Sequence, residues 1–229
     1  MSLSRMASLM PSDRPWSSAG LVFSSAISVL FHLNNKLAST IIECARENNV
    51  TVANLCLACH FAFLIELTGE YDLGVVCTMA GRPLEPEAAN ILGPFADYNV
   101  IRVTLDKKTN PTFITLIRQT HAVMTESFDH LFAEQDPLTF ELAECMGGIQ
   151  PISSFQFDEK LRDITLDKNV RLHCLDPSDN MSIPAWWSVA ALHPFSSVVT
   201  YDQESAEFSY VFEFSTVFYE RPTAVRIIK

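Results

Sequence analysis

The hydrophobic pattern at the start of the chain predicts a strand followed by a helix. Residues 21–33 are rich in β-branched and aromatic side chains, which favours a strand. Asn34 and Asn35 then offer an N-cap for a helix over residues 36–48. The apolar residues of this helix fall on one face at helical spacing: Leu37, Ile41, Ile42 and Ala45.

A second helix is predicted over residues 52–68, with Thr51 as its N-cap and Gly69 at its end. Apolar residues occur nearly all round this helix, which is typical of a deeply buried element. The short apolar run 72–79 indicates a buried strand. Residues 98–105 alternate between apolar and polar, as expected for a strand with one wet face.

The second half of the chain changes from helical to β-rich patterning. Residues 110–112 begin a third long helix that reaches about residue 132, and a shorter helix is predicted over 139–146. Beyond Gly148 the β-prone segments are 152–158, 168–175, 184–192, 195–202 and 206–214, and a short helix begins at Arg221. This order predicts an α/β (mixed α+β) domain, with one mixed β-sheet flanked by helices and no doubly wound sheet.

Composition and charge narrow the classes of partner. The formal net charge is -11, so nucleic acid and anionic membrane surfaces are poor partners. No apolar run has the roughly 18 residues of a spanning helix, and no secretion signal is recognisable, which favours a cytoplasmic protein. The six cysteines are then expected as reduced thiols. Residues 1–19 are expected to be a disordered lead-in or an expression remnant before a domain over 20–229.

Common catalytic and cofactor motifs are absent from the sequence. There is no GxGxxG, GxxxxGK, GxSxG, HHxxxD or HExxH. The run from Cys56 to His60 holds two cysteines and a histidine, but buried core thiols are favoured over a metal site. For His121 and His130 a solvated helix face is favoured over a general base. Trp186 and Trp187 leave open both a pocket and ordinary strand packing.

Four motifs in order then carry a resemblance. Residues 67–72 (LTGEYD) close the second helix, residues 80–83 read AGRP, residues 92–102 read LGPFADYNVIR, and residues 134–136 read EQD. Over residues 31–157 the chain resembles the C-terminal lobe of condensation domains from nonribosomal peptide synthetases. Compared with the family motifs, Asp97 and Tyr98 replace Asn and Thr, Glu134 replaces His, and residues 138–140 depart from PFE.

The resemblance implies the fold of a single chloramphenicol acetyltransferase chain, with a missing N-terminal lobe that carries HHxxxDG. It implies no catalytic residue in this chain, no metal and no bound cofactor; phosphopantetheine would be carried by a partner carrier protein. Arg82 is expected to orient the partner lobe at the junction, as an alternative to a plain surface loop position. Asp97, Gln135 and Asp136 are candidate substrate-tunnel residues, although a role in bracing loops is favoured.

Three functional hypotheses follow. In the first, the chain is the C-terminal half of a condensation-type domain that forms amide bonds only with a separate N-terminal lobe. In the second, it is a non-catalytic module that docks a carrier protein or a synthase subunit. In the third, it self-associates as a homo-oligomer through an exposed former lobe junction. An unrelated acidic α/β protein also stays open.

Overall fold

The computed structural model describes residues 10–14, 24–80, 95–130, 153–160, 162–168, 170–172, 190–191 and 193–229. The α-helices in this part of the chain are α1 Asn35–Glu47, α2 Val52–Thr68, α3 Phe113–Ser127 and α4 Arg221–Ile228. Its strands are β1 Ser24–His32, β2 Asp72–Ala80, β3 Ala96–Thr104, β4 Ser153–Glu159, β5 Ile164–Asp167, β6 Val170–Leu172, β7 Ala190–Ala191, β8 Phe195–Asp202 and β9 Glu207–Ser215. Single turns of 3₁₀ helix cover Lys107–Thr109 and Phe128–His130.

Within the described residues, seven strands form one mixed sheet in the order β3-β2-β4-β8-β9-β1-β7. Strand β4 runs parallel to both β2 and β8, and the other neighbours are antiparallel. Strands β5 and β6 form a separate two-stranded hairpin. The predicted mixed sheet with flanking helices is therefore confirmed.

The predicted helix ends are confirmed by their capping contacts. The side chain of Asn34 accepts a hydrogen bond from the Leu37 amide at 2.9 Å, and that of Thr51 accepts one from the Asn54 amide at 3.1 Å. Gly69 ends α2 with φ 68°, a left-handed conformation in which a Cβ atom would cost energy. These helix boundaries are encoded by residues that lie next to them in sequence.

The apolar face of α1 differs from the prediction at Leu37. This side chain is 46% exposed, whereas Ala38 and Ala45 are each only 2% exposed. The buried face therefore runs through Ala38, Ile41, Ile42 and Ala45, at spacings of three, one and three. Leu37 lies in the first turn of α1, away from this row.

Aromatic side chains dominate the core between the sheet and the helices. Phe61 and Phe195 are fully buried. Phe63, on α2, stacks on Phe212 of β9 with ring centroids 5.6 Å apart, and Phe195 contacts the ring of Phe214 at 5.0 Å. Ring pairs at such distances add a modest geometric preference to a large burial of apolar area. This packing fixes which face of the sheet the helices cover.

Residues 10–14 pack against the C-terminal helix. Met10 is 3% exposed, and the carboxylate of Asp13 accepts hydrogen bonds from the Glu220 amide at 2.7 Å and the Thr223 hydroxyl at 2.6 Å. Glu220 is the N-cap residue of α4 but its own side chain makes no capping bond, so Asp13 serves that role from 207 residues upstream. Residues 10–14 thus make specific contacts with the domain, and the lead-in expected over residues 1–19 stays a prediction.

The β-rich second half is confirmed where the structure describes it. Strands β4, β8 and β9 match three predicted segments within a residue or two, and β6 and β7 lie within two others, most of whose remaining residues are not described. Strand β5 was not predicted. The loop at residues 81–83, the helix expected over 139–146, and Trp186 with Trp187 lie outside the described residues. No single helix in the described part of the chain is long and apolar enough to cross a membrane, though α1 and α2 pass that test as a pair bent by 109°.

Candidate functional site

The end of β2, the start of β3 and the end of α3 meet at one end of the sheet. Strand β2 ends at Ala80, and its antiparallel neighbour β3 begins opposite it at Ala96. The end of α3 lies beside the same strands, because Asn99 Nδ2 donates to the Ser127 carbonyl at 3.2 Å and the Ser127 hydroxyl lies 3.7 Å from Met79 Sδ. The AGRP motif follows β2 in the sequence and the EQD motif follows α3, and both motifs lie outside the described residues.

Of the predicted site residues, the structure describes Asp97 alone. Arg82, Gln135 and Asp136 lie outside the described residues. Asp97 is the second residue of β3, opposite Met79, and its Oδ1 accepts a hydrogen bond from the Tyr98 amide at 2.8 Å. This contact stabilises the start of an edge strand. The expected place of Asp97 beside a substrate tunnel stays a prediction.

One face of the sheet is covered by helices and the other is not covered by any described helix. Side chains alternate between the faces, so the register separates the two sets. We call the second set the open face; it contains Ser28, Leu30, His32, Val76, Thr78, Tyr98, Val100, Ser154, Gln156, Asp158, Ser196, Val198, Thr200, Ser209, Val211 and Glu213. Its aliphatic side chains do not join the hydrophobic core of the described structure, and Leu30 is 42% exposed.

Two carboxyl groups on the open face, Asp158 and Glu213, have pKa values raised by burial, and neither lies in a motif of the sequence. Burial raises the pKa of Asp158, and a hydrogen bond of 2.8 Å from Gln156 Nε2 acts in the opposite direction. Burial alone raises the pKa of Glu213. The alternation of strands β4 and β9 was visible in the sequence, but which of the two faces the described helices cover was not.

His60 lies in the core and not at a surface site. Its Nε2 is 2.7 Å from the Ser153 hydroxyl and its Nδ1 is 3.0 Å from the Ser197 hydroxyl. Its ring stacks on Phe195 at 5.7 Å, and burial lowers its pKa to about 3. Both ring nitrogens therefore have hydrogen-bond partners, and the residue joins α2 to β4 and β8.

The cysteines and the other helix histidine also have structural contacts. Cys56 is buried and accepts a hydrogen bond from the Tyr210 hydroxyl at 3.4 Å, and burial raises the pKa of Cys59 to about 11. The cysteines in the described residues are free thiols, and no group of three potential metal ligands occurs there. His121 Nδ1 lies 2.7 Å from Asn54 Nδ2, which links α3 to α2. The side chain of His130 is not described.

The sheet order, the helices on one side and the open face on the other define a mixed α/β domain of the chloramphenicol acetyltransferase-like class. The sequence profile of the condensation domain family matches residues 7–229. The chain therefore belongs to the condensation domain family, which includes the condensation domains of nonribosomal peptide synthetases.

Individual relatives agree with this assignment. The phosphinothricin tripeptide synthetase PhsB of Streptomyces viridochromogenes is 30% identical over 119 residues, which are 52% of this chain and 10% of that protein. The SgcC5 protein of Streptomyces globisporus has the same fold, with a TM-score of 0.70 and 18% identity over 95% of this chain and 48% of that one. The X-domain from teicoplanin biosynthesis, solved in complex with OxyB, matches with a TM-score of 0.72 and 15% identity, over 98% of this chain and 48% of that one. This chain thus spans about half of these solved chains and a small part of the synthetase.

Proposed function

We propose that this chain acts as the C-terminal half of a condensation-type domain in nonribosomal peptide biosynthesis. It would form one wall of the tunnel for carrier-bound thioesters and would need a separate N-terminal lobe with HHxxxDG to form amide bonds. The observation that carries the proposal is that the condensation family profile matches residues 7–229 of a chain that spans about half of each solved relative.

The composition of the open face supports a covering partner. Val76, Val198 and Val211 lie there outside the hydrophobic core, next to polar residues such as Gln156. Mixed apolar and polar surfaces of this kind are typical of non-obligate interfaces and of ligand sites. Because this chain spans about half of the solved relative, the partner in this proposal is the other lobe.

The hairpin β5–β6 gives a second reason to expect a partner. Ile164, Leu166 and Val170 are 56%, 62% and 48% exposed. An isolated two-stranded hairpin is marginally stable in water, and exposed aliphatic residues on it are unfavourable. A second lobe that packs against the hairpin would bury these side chains.

In the proposed reaction the N-terminal lobe supplies the catalytic base, and this chain positions the partner loop and the substrates. Attack of an amine on a thioester forms a C–N bond, breaks a C–S bond and requires loss of a proton from the amine. A positioned base on the other lobe could contribute roughly 10²–10⁴-fold to that step. In this proposal Arg82 orients the partner loop as a bidentate donor to a carboxylate. Asp97, Gln135 and Asp136 would line or brace the tunnel, and the phosphopantetheine arm would come from the carrier protein.

Reconstitution tests the proposal. A separately expressed N-terminal lobe with HHxxxDG should, with this chain and two loaded carrier proteins, give a peptide product detected by mass spectrometry. Arg82→Ala should lower the rate, whereas Arg118→Ala, an exposed position on α3, should not. Persistent inactivity of the mixture under conditions where the two halves associate would refute the proposal.

A non-catalytic docking role is the second candidate. It is favoured by the departures from the family motifs at Asp97, Tyr98, Glu134 and residues 138–140. The X-domain, which has the same fold, was solved in complex with OxyB, a separate protein. If this role holds, a carrier protein or synthase subunit should bind the chain and binding should survive Arg82→Ala. Absence of binding to carrier proteins, measured by calorimetry, would count against it.

Self-association is the third candidate, with the open face as the contact surface. It would cover the aliphatic residues of that face without a second gene product. Two copies would also bring Asp158 and Glu213 of each chain into one interface, which opposes association of a protein with a net charge of -11. A monomer mass by light scattering that does not change with concentration would eliminate this role.

A further inference from the structure

Glu213 occupies an unusual position on the open face. It lies in the middle of β9, directly opposite Ser196 of β8 on one side and Ser28 of β1 on the other. Side chains opposite each other on one face of an antiparallel pair have Cβ atoms about 4.5–5.5 Å apart. The carboxyl group is thus flanked by a hydroxyl on each side.

Glu213 and the two serines beside it have unused hydrogen-bonding capacity among the described residues. Among the described residues, no hydrogen-bond donor and no cation pairs with its carboxylate, although burial raises its pKa. Ser196 accepts a hydrogen bond of 2.9 Å from the Ser154 hydroxyl, so its own proton and one lone pair remain available. The Ser28 hydroxyl is exposed, and no described group is bonded to it. By contrast Asp158, the other carboxyl on this face whose pKa is raised by burial, is already bonded to Gln156.

A half-buried carboxylate without a partner is unfavourable, and a bound cation would remove that cost. The arrangement suits a primary ammonium group, which has three N–H donors that point in different directions and could meet the carboxylate and two hydroxyl oxygens. A guanidinium prefers a planar, bidentate match to one carboxylate and would leave the flanking hydroxyls unused. Calcium requires six to eight oxygen ligands, more than one carboxylate and two hydroxyls supply.

We propose that Glu213, Ser28 and Ser196 form a binding site for the primary ammonium group of the acyl acceptor. The inference rests on the proposed function, in which an amine attacks a thioester. Glu213 is a binding residue in this scheme and not a catalytic one. The ammonium group must lose its proton to another base before the amine attacks, so the site holds and orients the acceptor before that step.

The test uses the complete chain and L-alaninamide as the probe, with N-acetyl-L-alaninamide as the neutral control. Near neutral pH most of the probe carries its α-ammonium charge, whose pKa is about 8. Nuclear magnetic resonance titration should show saturable shifts at the amides of Ser28, Ser196 and Glu213 with the charged probe only. Glu213→Gln should weaken the affinity about 10- to 100-fold, as expected for loss of a charge-assisted hydrogen bond.

Glu207→Gln is the matched control, because Glu207 lies on the same strand but about 20 Å away by strand geometry. It should leave the affinity unchanged. Equal binding of the neutral probe, no saturable binding by the unmodified chain, or unchanged affinity in Glu213→Gln would each overturn the inference. The outcome is independent of reconstitution: active halves without ammonium binding would refute this site alone, and ammonium binding with inactive halves would refute the proposed function alone.

Discussion

His60 and its two serine partners should give the domain a pH-dependent stability that a designed variant removes. His60 is 5% exposed and bonds Ser153 and Ser197 through its two ring nitrogens. The neutral ring suits this place, with one hydroxyl donating to it and the other accepting from it. The perturbation is the triple variant His60→Leu, Ser153→Ala and Ser197→Ala, which replaces the polar cluster with apolar side chains.

The magnitude follows from the pKa of His60, which burial lowers from 6.5 to about 3 in the folded state. Between these values the unfolded chain binds a proton at His60 and the folded protein does not. The free energy of unfolding therefore falls as the pH decreases, by about 1.4 kcal/mol per pH unit. From about pH 7.5 to about pH 5 this residue should cost about 2 kcal/mol of stability.

Urea unfolding followed by circular dichroism, at several values between about pH 7.5 and about pH 5, measures this difference. The carboxyl groups titrate in both proteins, so the informative quantity is the unmodified protein minus the triple variant. That difference should decrease by about 2 kcal/mol toward the acidic end. Parallel curves for the two proteins would refute the reasoning, because they would show that His60 takes up a proton without penalty.

The single variant His60→Leu provides an internal control on the same cluster. It leaves the hydroxyls of Ser153 and Ser197 buried without the ring, at about 1–3 kcal/mol for each group. The single variant should therefore be less stable than the triple variant at neutral pH, although it carries fewer substitutions.

Three further predictions concern helix ends and an ion pair. Gly69→Ala should destabilise the domain by about 1–2 kcal/mol in urea unfolding, because Gly69 has a positive φ. Gly74→Ala is the control and should change stability little, because the added Cβ would lie at an ordinary contact distance, 3.6 Å from Val100 Cγ1. Asp13→Ala should reduce hydrogen-exchange protection at the start of α4. The hydrogen bonds from Thr223 and Glu220 lower the pKa of Asp13. The unmodified protein should therefore lose the same protection only at strongly acidic pH, where Asp13 becomes protonated. Asp72→Asn should lower the free energy of unfolding by at most about 1 kcal/mol, because the ion pair of Asp72 with Arg102, although it has two hydrogen bonds, is exposed to solvent. A larger loss in urea unfolding would show that this surface ion pair contributes more than expected.

Some parts of the fold could be predicted because their determinants are close together in sequence. Asn34, Thr51 and Gly69 end their helices through contacts within three or four residues, and the apolar run in α2 indicates its burial. The prediction for Leu37 was wrong because helical spacing allows two neighbouring stripes, and only packing against the sheet selects the one through Ala38. Strand β5 was missed because all four of its residues are exposed and give no burial pattern.

The sequence alone determined the fold class and the resemblance over residues 31–157, because ordered motifs are read along the chain, and it marked Arg82, Asp97, Gln135 and Asp136 as candidate positions. It also determined that the chain lacks HHxxxDG. The tertiary structure decided what depends on contacts between distant segments. Strand order and register put Ser28, Ser196 and Glu213 side by side although they are up to 185 residues apart in the chain, and place Asp13 at the start of α4. Local periodicity predicts that a strand has two faces, but only the pairing of strands and the placement of helices decides which face the described helices cover.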